Sequence, residues 1–354
     1  MFKMDEFYAE TKSAAIVTSG RILRKRSNGG FRTGVTGRPT SLTMRATMTD
    51  YRHLLACSDD ELARVDPVVM NLLVAKSIPI LADLDIPRYQ RQADEWATAV
   101  QQRLPGAERK FHQTPWDWKN DVNFFLLGVL CGFLEHEAGI AYNDDQRSGS
   151  GIWYTNPSDL FLNGVMDTRR GTCANMAALH VVIGRRLGWP VSLACVKSHF
   201  ICRYDDGKVT HNIEATQAGY GGFKSDPDEF LIKQYGLPPV AIQCGSDLRA
   251  LSPRELLGVF IGCRARHVRD IGRLDEAELD YLLARRLFPK NRSLYINSLG
   301  VIIPCGAQMF EPAELGGPES VAQEIAGQYG ISFQTPTYQS GANVIFGVID
   351  TPMK

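Results

Sequence analysis

The sequence predicts an α+β protein, with helices in the first half, a short antiparallel sheet in the middle and a helical hairpin behind it. Three observations carry this. Residues 58–137 place apolar side chains at helical spacing between capping residues and prolines. Residues 191–216 hold three short apolar runs, and Asp206 and Gly207 join the last two with a strong hairpin turn signal. Residues 252–288 hold two more helical patterns, separated by Gly272.

Composition sets the frame. The chain has 354 residues, enough for one large domain or two ordinary ones. Apolar residues make up 44% and charged residues 22%, the balance of an ordinary globular protein. Lys+Arg and Asp+Glu are both 39, so no net charge favours nucleic acid or an anionic membrane, and neither is expected as a partner. Eight cysteines are scattered without a CxxC pair and read as reduced thiols of a cytoplasmic protein. The longest apolar run, residues 124–134, is short of the ~20 residues a membrane span needs. No signal peptide is visible.

Residues 1–47 carry nine Lys/Arg against three Asp/Glu among many Gly, Ser and Thr. Too little apolar surface is available to offset ordering, so this segment is expected to be disordered and dispensable. Residues 48–145 are expected to form the helical N-terminal part. Ser58 caps a first turn of Asp59, Asp60 and Glu61. Pro67 ends that helix and starts another, to about Ala75. After Pro87, residues Tyr89, Ala93, Trp96, Val100 and Leu104 share one face, and Pro105 with Gly106 should end the helix. Residues 120–137 are apolar almost all round, as in a buried core helix, with Glu135, His136 and Glu137 as its polar end.

Residues 146–250 read as the core that carries chemistry. Residues 148–164 approach it as a loop rich in aromatics, among them Trp153, Tyr154 and Phe161. Thr172 is a helix N-cap, and Cys173 falls in the first turn. Met176, Leu179, Ile183 and Leu187 form the apolar stripe, and Gly188 and Pro190 stop the helix. A thiol there feels the positive end of the helix dipole, which favours the reactive thiolate. With Asp206 and Gly207 as a two-residue loop, Asp205 faces Lys208 and His199 faces Glu214. Their Cβ atoms would lie about 4.5–5.5 Å apart on one face. A carboxylate there holds one imidazole nitrogen and leaves the other for a nucleophile.

Each residue has a plainer reading. A lone cysteine in a helix is usually a small buried hydrophobe. A histidine heading a strand is often a satisfied polar group, and Glu214 could be a surface charge. Together on one hairpin face they fit a catalytic set better. A zinc site built from Cys195, His199, Cys202 and His211 is the rival. In the same register Cys202 pairs with His211 on the opposite face, so the four do not converge and no metal is expected.

Gly219, Gly221 and Gly222 suit a cleft rim, and the proline-punctuated residues 226–250 carry no assignment. Ser252 and Pro253 start a helix through about Arg269, and Asp275 caps a second helix ending near Phe288 and Pro289. Residues 251–300 thus make the helical hairpin. Residues 301–354 are an unassigned tail with one helix candidate, residues 318–328, and one strand candidate, residues 344–349.

The order of a cysteine on a helix, then a histidine and an acid on successive strands, resembles the transglutaminase-like superfamily. The matching residues are RRGTC at 169–173, GRRLGWPV at 184–191, KSHF at 197–200 and NIEAT at 212–216. The SirB type, with a tetratricopeptide-like tail, is the nearest in look. Ala277, Tyr281, Ala284 and Leu287 match that tail. The resemblance implies a papain-like cysteine proteinase core, with Cys173 as nucleophile, His199 as base and Glu214 as orienting acid. Relatives often have Asp at the acid position. It implies acyl transfer through a thioester on a protein, peptide or amide substrate, with no cofactor. Hydrolysis is the default outcome and transfer to an amine the other. Asn163 is a candidate oxyanion donor beside the Cys173 N–H, and Trp153 a candidate wall of the cleft. The alternative is a catalytically silent scaffold that contacts protein partners through its C-terminal helices.

Overall fold

The computed structural model describes residues 50–146, 153–197, 199–220, 223–294 and 297–298. The expectations for residues 1–47, for Gly221 and Gly222, and for the helix and strand candidates beyond residue 300 lie outside these.

The helices and strands follow in order. Helices α1 (Arg52–Leu55), α2 (Asp59–Arg64), α3 (Pro67–Lys76), α4 (Ile86–Gln113) and α5 (Val122–Gly132) make the N-terminal half. Ser58 caps α2 in a capping box with Glu61, and Asp66 and Asp121 cap α3 and α5. Helix α5 runs on into a π turn, Phe133–Glu137. Its polar end is used, since Glu137 pairs with Arg103 and Glu135 accepts the Gly219 N–H at 2.7 Å.

Pro105 does not end α4, which continues to Gln113. A proline inside a helix costs about 3 kcal/mol. Ala107 and Phe111 continue the buried face past it, and Phe111 packs on Phe125 with ring centroids 5.7 Å apart. Burying one such side chain gains about 1.5–3 kcal/mol. The apolar face therefore offsets the proline.

Strands β1 (Ala141–Tyr142) and β2 (Arg170–Gly171) pair in parallel. Helix α6 (Leu162–Thr168) lies between them in sequence, and α7 (Cys173–Arg186) follows β2 directly. Strands β3 (Val191–Val196), β4 (His199–Asp205), β5 (Thr210–Ile213) and β6 (Ser225–Asp226) form an antiparallel sheet in chain order. Helix α7 is buried on nearly every side, between this sheet and α4, α5 and α6. On the other sheet face, Ala194, Val196 and Ile201 pack under Leu231 of α8 (Asp228–Tyr235) and under Leu237, just before α9 (Pro239–Gln243). The fold is α+β, with the cysteine helix against an antiparallel sheet.

Helices α8 and α9 fall in the stretch left unassigned above. Their local signals are present: Asp228 and Glu229 in the first turn of α8, and Gly236 at its end with φ +58°. Helix α10 (Pro253–Asp270) and α11 (Leu274–Leu287) then pack against each other. Arg264 of α10 pairs with Asp280 and Glu276 of α11 and donates to Ser77 at 2.7 Å, joining the hairpin to the N-terminal half. Asp275 lies in the first turn of α11 and not at its cap, which is Arg273. No described helix is long and apolar enough to cross a membrane.

Candidate active site

Cys173 is the first residue of α7, and the residues around it explain why the chain turns there. Arg169 ends α6 in the left-handed region, φ +62°, with its guanidinium over the Trp96 ring at 4.7 Å. Gly171 has no room for a side chain, since a Cβ there would sit 2.6 Å from Asn175 Oδ1. Thr172 Oγ1 accepts the Ala174 N–H at 3.3 Å and donates to the Asp159 carbonyl at 2.7 Å. Asn175 closes the capping box by accepting the Thr172 N–H at 2.8 Å. The Asn175 amide also donates to the carbonyls of Ser158 and Phe161, at 3.0 and 3.1 Å, which fastens the approach loop to the helix start.

His199 opens β4, where it pairs with Val196 of β3. Its Nε2 lies 2.8 Å from Glu214 Oε2. The Cys173 thiol is the other neighbour that favours a proton on this ring. Glu214 spends its other oxygen locally: Oε1 accepts the Thr216 N–H at 3.1 Å and the Thr216 hydroxyl at 2.6 Å. The structure thus brings Cys173, His199 and Glu214 together.

The route to this contact differs from the expected one. Strand pairing joins Cys202 to Ile213 and Asp205 to Thr210, two residues out of the register of a two-residue loop. Cys202 therefore does not face His211. Asp side chains are the reason. Asp206 Oδ1 accepts the N–H groups of Lys208 and Val209, each at 2.9 Å, and Asp205 Oδ1 accepts the Gly207 N–H at 2.9 Å. These side-chain turns favour a longer loop, with Gly207 at φ +81°. Strand β5 ends at Ile213, so Glu214 meets His199 from a short 3₁₀ turn beyond the strand and not from a paired position.

Burial disfavours a charged His199 ring. Hydrogen bonds and charge from Cys173 and Glu214 outweigh it and push the imidazole up to about 10. Burial likewise opposes an ionised Glu214, yet His199 and Thr216 hold its carboxyl below the usual range. The Tyr235 ring of α8 lies over the imidazole, a partner that sequence reading missed. The arrangement is a thiol beside a ring on which thiol and carboxylate together favour a proton, which suits proton transfer to and from sulfur.

Asn163 and Trp153 stand apart from these three. Asn163 is buried in α6 and donates to Ser158 Oγ at 3.2 Å, while Trp153 is 62% exposed. Neither lines the cavity of about 220 Å³ onto which Cys173 opens. The walls of that cavity come from Tyr154 and Leu160 of the approach loop, Ala174, Phe200, and Val259, Cys263 and Arg266 of α10. Asn291, Leu294 and Asn297, after α11, complete it.

Tyr154 is pinned to α10. Its N–H donates to Asp270 Oδ2 at 2.9 Å, its carbonyl meets His267 Nδ1 at 2.8 Å, and Arg266 lies 5.3 Å from its ring centre. The four residues weighed as zinc ligands go to separate partners. Cys195 accepts from the Asn291 amide at 3.4 Å, and His211 Nε2 lies 2.9 Å from Asp121 Oδ2. Cys202 is buried in the core, where burial pushes its thiol up to about 12. Among the described residues no group of three or more His, Cys, Asp or Glu side chains could hold a metal ion.

Residues 87–259 match the family model of the transglutaminase-like superfamily. These residues form a transglutaminase-like domain. Neither a curated protein nor a solved structure matches the chain. The match begins inside α4 and ends inside α10, so the transglutaminase-like domain contains Cys173, His199 and Glu214 and part of the cavity wall.

Proposed function

We propose that this protein is a cysteine enzyme acting by acyl transfer through a thioester, with amide or peptide hydrolysis as the net reaction. The observation that supports it is the His199–Glu214 contact of 2.8 Å, on a ring that also has the thiol of Cys173, at a helix N-terminus, as a neighbour. In this reading Cys173 sulfur attacks the carbonyl carbon, and its proton resides on His199. The developing oxyanion lies beside the Cys173 N–H, which has no acceptor within the helix, while Thr172 Oγ1 takes the N–H that follows it. The C–N bond breaks, and His199 protonates the departing amine. Water then gives a proton to His199 and attacks the thioester carbon, releasing the acid and the thiol. An amine in place of water gives a transamidated product. Glu214 keeps the imidazole oriented and supports its charge.

The Asn163 role weighed above is less well supported, because its amide is engaged with Ser158. The likeness of α10 and α11 to a tetratricopeptide unit, the SirB type and a cytoplasmic location belong to the same proposal. The test is to incubate the wild type and Cys173→Ala with a panel of peptides and small amides and read the intact mass. A thioester adduct is expected on the wild type alone. A thiol probe that labels Cys173 no faster than the other cysteines, with no adduct from any donor, would favour the scaffold reading.

A further inference from the structure

We propose that the cavity beside Cys173 binds an uncharged aliphatic acyl group of up to about six carbons, and that Gly262 sets the length it accepts. This rests on the acyl-transfer reading above and names the substrate class for the same site.

Size comes first. The cavity measures about 220 Å³. A cavity of about 150 Å³ is enough for benzene. The space therefore holds one side-chain-sized group and excludes a folded segment. Leu160, Phe200, Val259 and Leu294 line it, which suits a hydrocarbon body.

Polarity comes next. The wall also holds polar side chains, and these are engaged with the protein. Arg266 donates through Nε to Asp270 Oδ2 at 2.8 Å and through Nη1 to Asn297 Oδ1 at 3.3 Å. Asn291 donates to Cys195 Sγ at 3.4 Å and accepts the Leu294 N–H at 3.1 Å. Arg266 and Ser293 have further partners. Burial pushes the Cys263 thiol up to about 12 and raises the Tyr154 hydroxyl as well, so both stay neutral. A charged guest would give up water without a free counter-charge among the described residues of this wall, whereas an aliphatic guest gives up nothing polar.

Length follows from Gly262. Glycine weakens the interior of a helix, and Gly262 stands in the middle of α10. A Cβ there would lie 2.5 Å from Leu294 Cδ2. Both residues line the cavity, so the missing side chain leaves space shared by Leu294 and the guest. Helix α10 thereby measures the acyl group that the thiol on α7 receives.

The test delivers alkyl groups to the thiol of the full-length protein without acyl chemistry. An alkyl methanethiosulfonate gives its R–S group to the Cys173 thiolate and releases methanesulfinate, and the labelled peptide is read by mass. Rates relative to free cysteine are expected to rise about fourfold per methylene from methyl to butyl. They should fall beyond hexyl, and hydroxyethyl should react at least about fourfold slower than propyl. A flat series, or a faster reaction with the anionic sulfonatoethyl reagent, overturns the proposal. Gly262→Ala should move the preferred chain to a shorter one and Val259→Ala to a longer one. Should one variant fail to fold, the other decides, and an unmoved profile overturns the role of the wall. Nitrophenyl esters then carry the acyl arm. Hexanoyl ahead of acetyl supports a free aliphatic acyl group, and N-acetylleucyl ahead of hexanoyl supports an apolar residue of a peptide. Acetyl ahead of both overturns the class. Acylation of Cys173 with a flat thiosulfonate series sinks this inference alone. A length-selective series with no thioester from any ester sinks the acyl-transfer reading and leaves the apolar site standing.

Discussion

The Tyr235 ring lies nearly parallel to the His199 imidazole, with centroids 5.7 Å apart and planes 15° apart. A π face over a protonated ring stabilises its charge by about 0.5–2 kcal/mol. Tyr235→Ala should therefore lower the His199 pKa by about 0.5–1 unit, and Tyr235→Phe should leave it near its present value. Titration of the ring by NMR measures this. An unchanged value in the alanine variant would show that Tyr235 only fills space.

Glu214→Gln keeps shape and removes charge. Loss of the orienting carboxylate costs about 10⁴ in kcat in serine enzymes, and a thiol needs less help from its base. The expected loss here is about 10–10³ in kcat, with a small change in melting temperature. Glu214→Asp keeps the charge and should be milder. An activity untouched by Glu214→Gln would remove Glu214 from the mechanism. Asn212 could not then replace it without release from Arg203 and Asp228, to which it bonds at 2.7 and 2.6 Å.

The raised His199 value makes stability depend on pH in a defined window. The folded ring is pushed up to about 10 from an ordinary 6.5. The stability that its proton contributes is complete below pH ~6.5 and is lost as pH rises through about 10. The melting temperature should fall across that window, and the fall should be shallower in His199→Gln. Identical profiles for the two proteins would refute the proton assignment.

Gly171→Ala tests the start of α7. The added methyl would lie 2.6 Å from both Asn175 Oδ1 and Met176 Cγ. Overpacking of this kind costs about 1–3 kcal/mol. Because Asn175 also holds the approach loop, alkylation of Cys173 should change along with stability. Denaturant melts and labelling rates check the two separately.

The cysteine helix was legible because its signals are local. Thr172, Gly188 and Pro190 bound a stripe of apolar residues. The His199–Glu214 contact was legible only in parity. A register slip of two residues leaves every side chain on its own face, whereas a slip of one would have reversed them. Pro105 misled because a proline is a local signal and the buried Phe111 beyond it is a tertiary one. Tyr235, Tyr154 and Arg266 were out of reach. The Tyr154–Asp270 bond joins residues 116 apart, and no spacing in the chain announces it.

The family match stops at residue 259, part-way along α10, and that helix runs to Asp270. A fragment cut at the family boundary would end seven residues before Arg266 and lose the two groups, on His267 and Asp270, that grip the Tyr154 backbone. The unit recognised by kinship is thus shorter than the unit that closes around the thiol. Excision, fusion or transplantation of this domain has to carry the chain through both helices of the hairpin and on to Asn297, or the thiol goes with a wall missing.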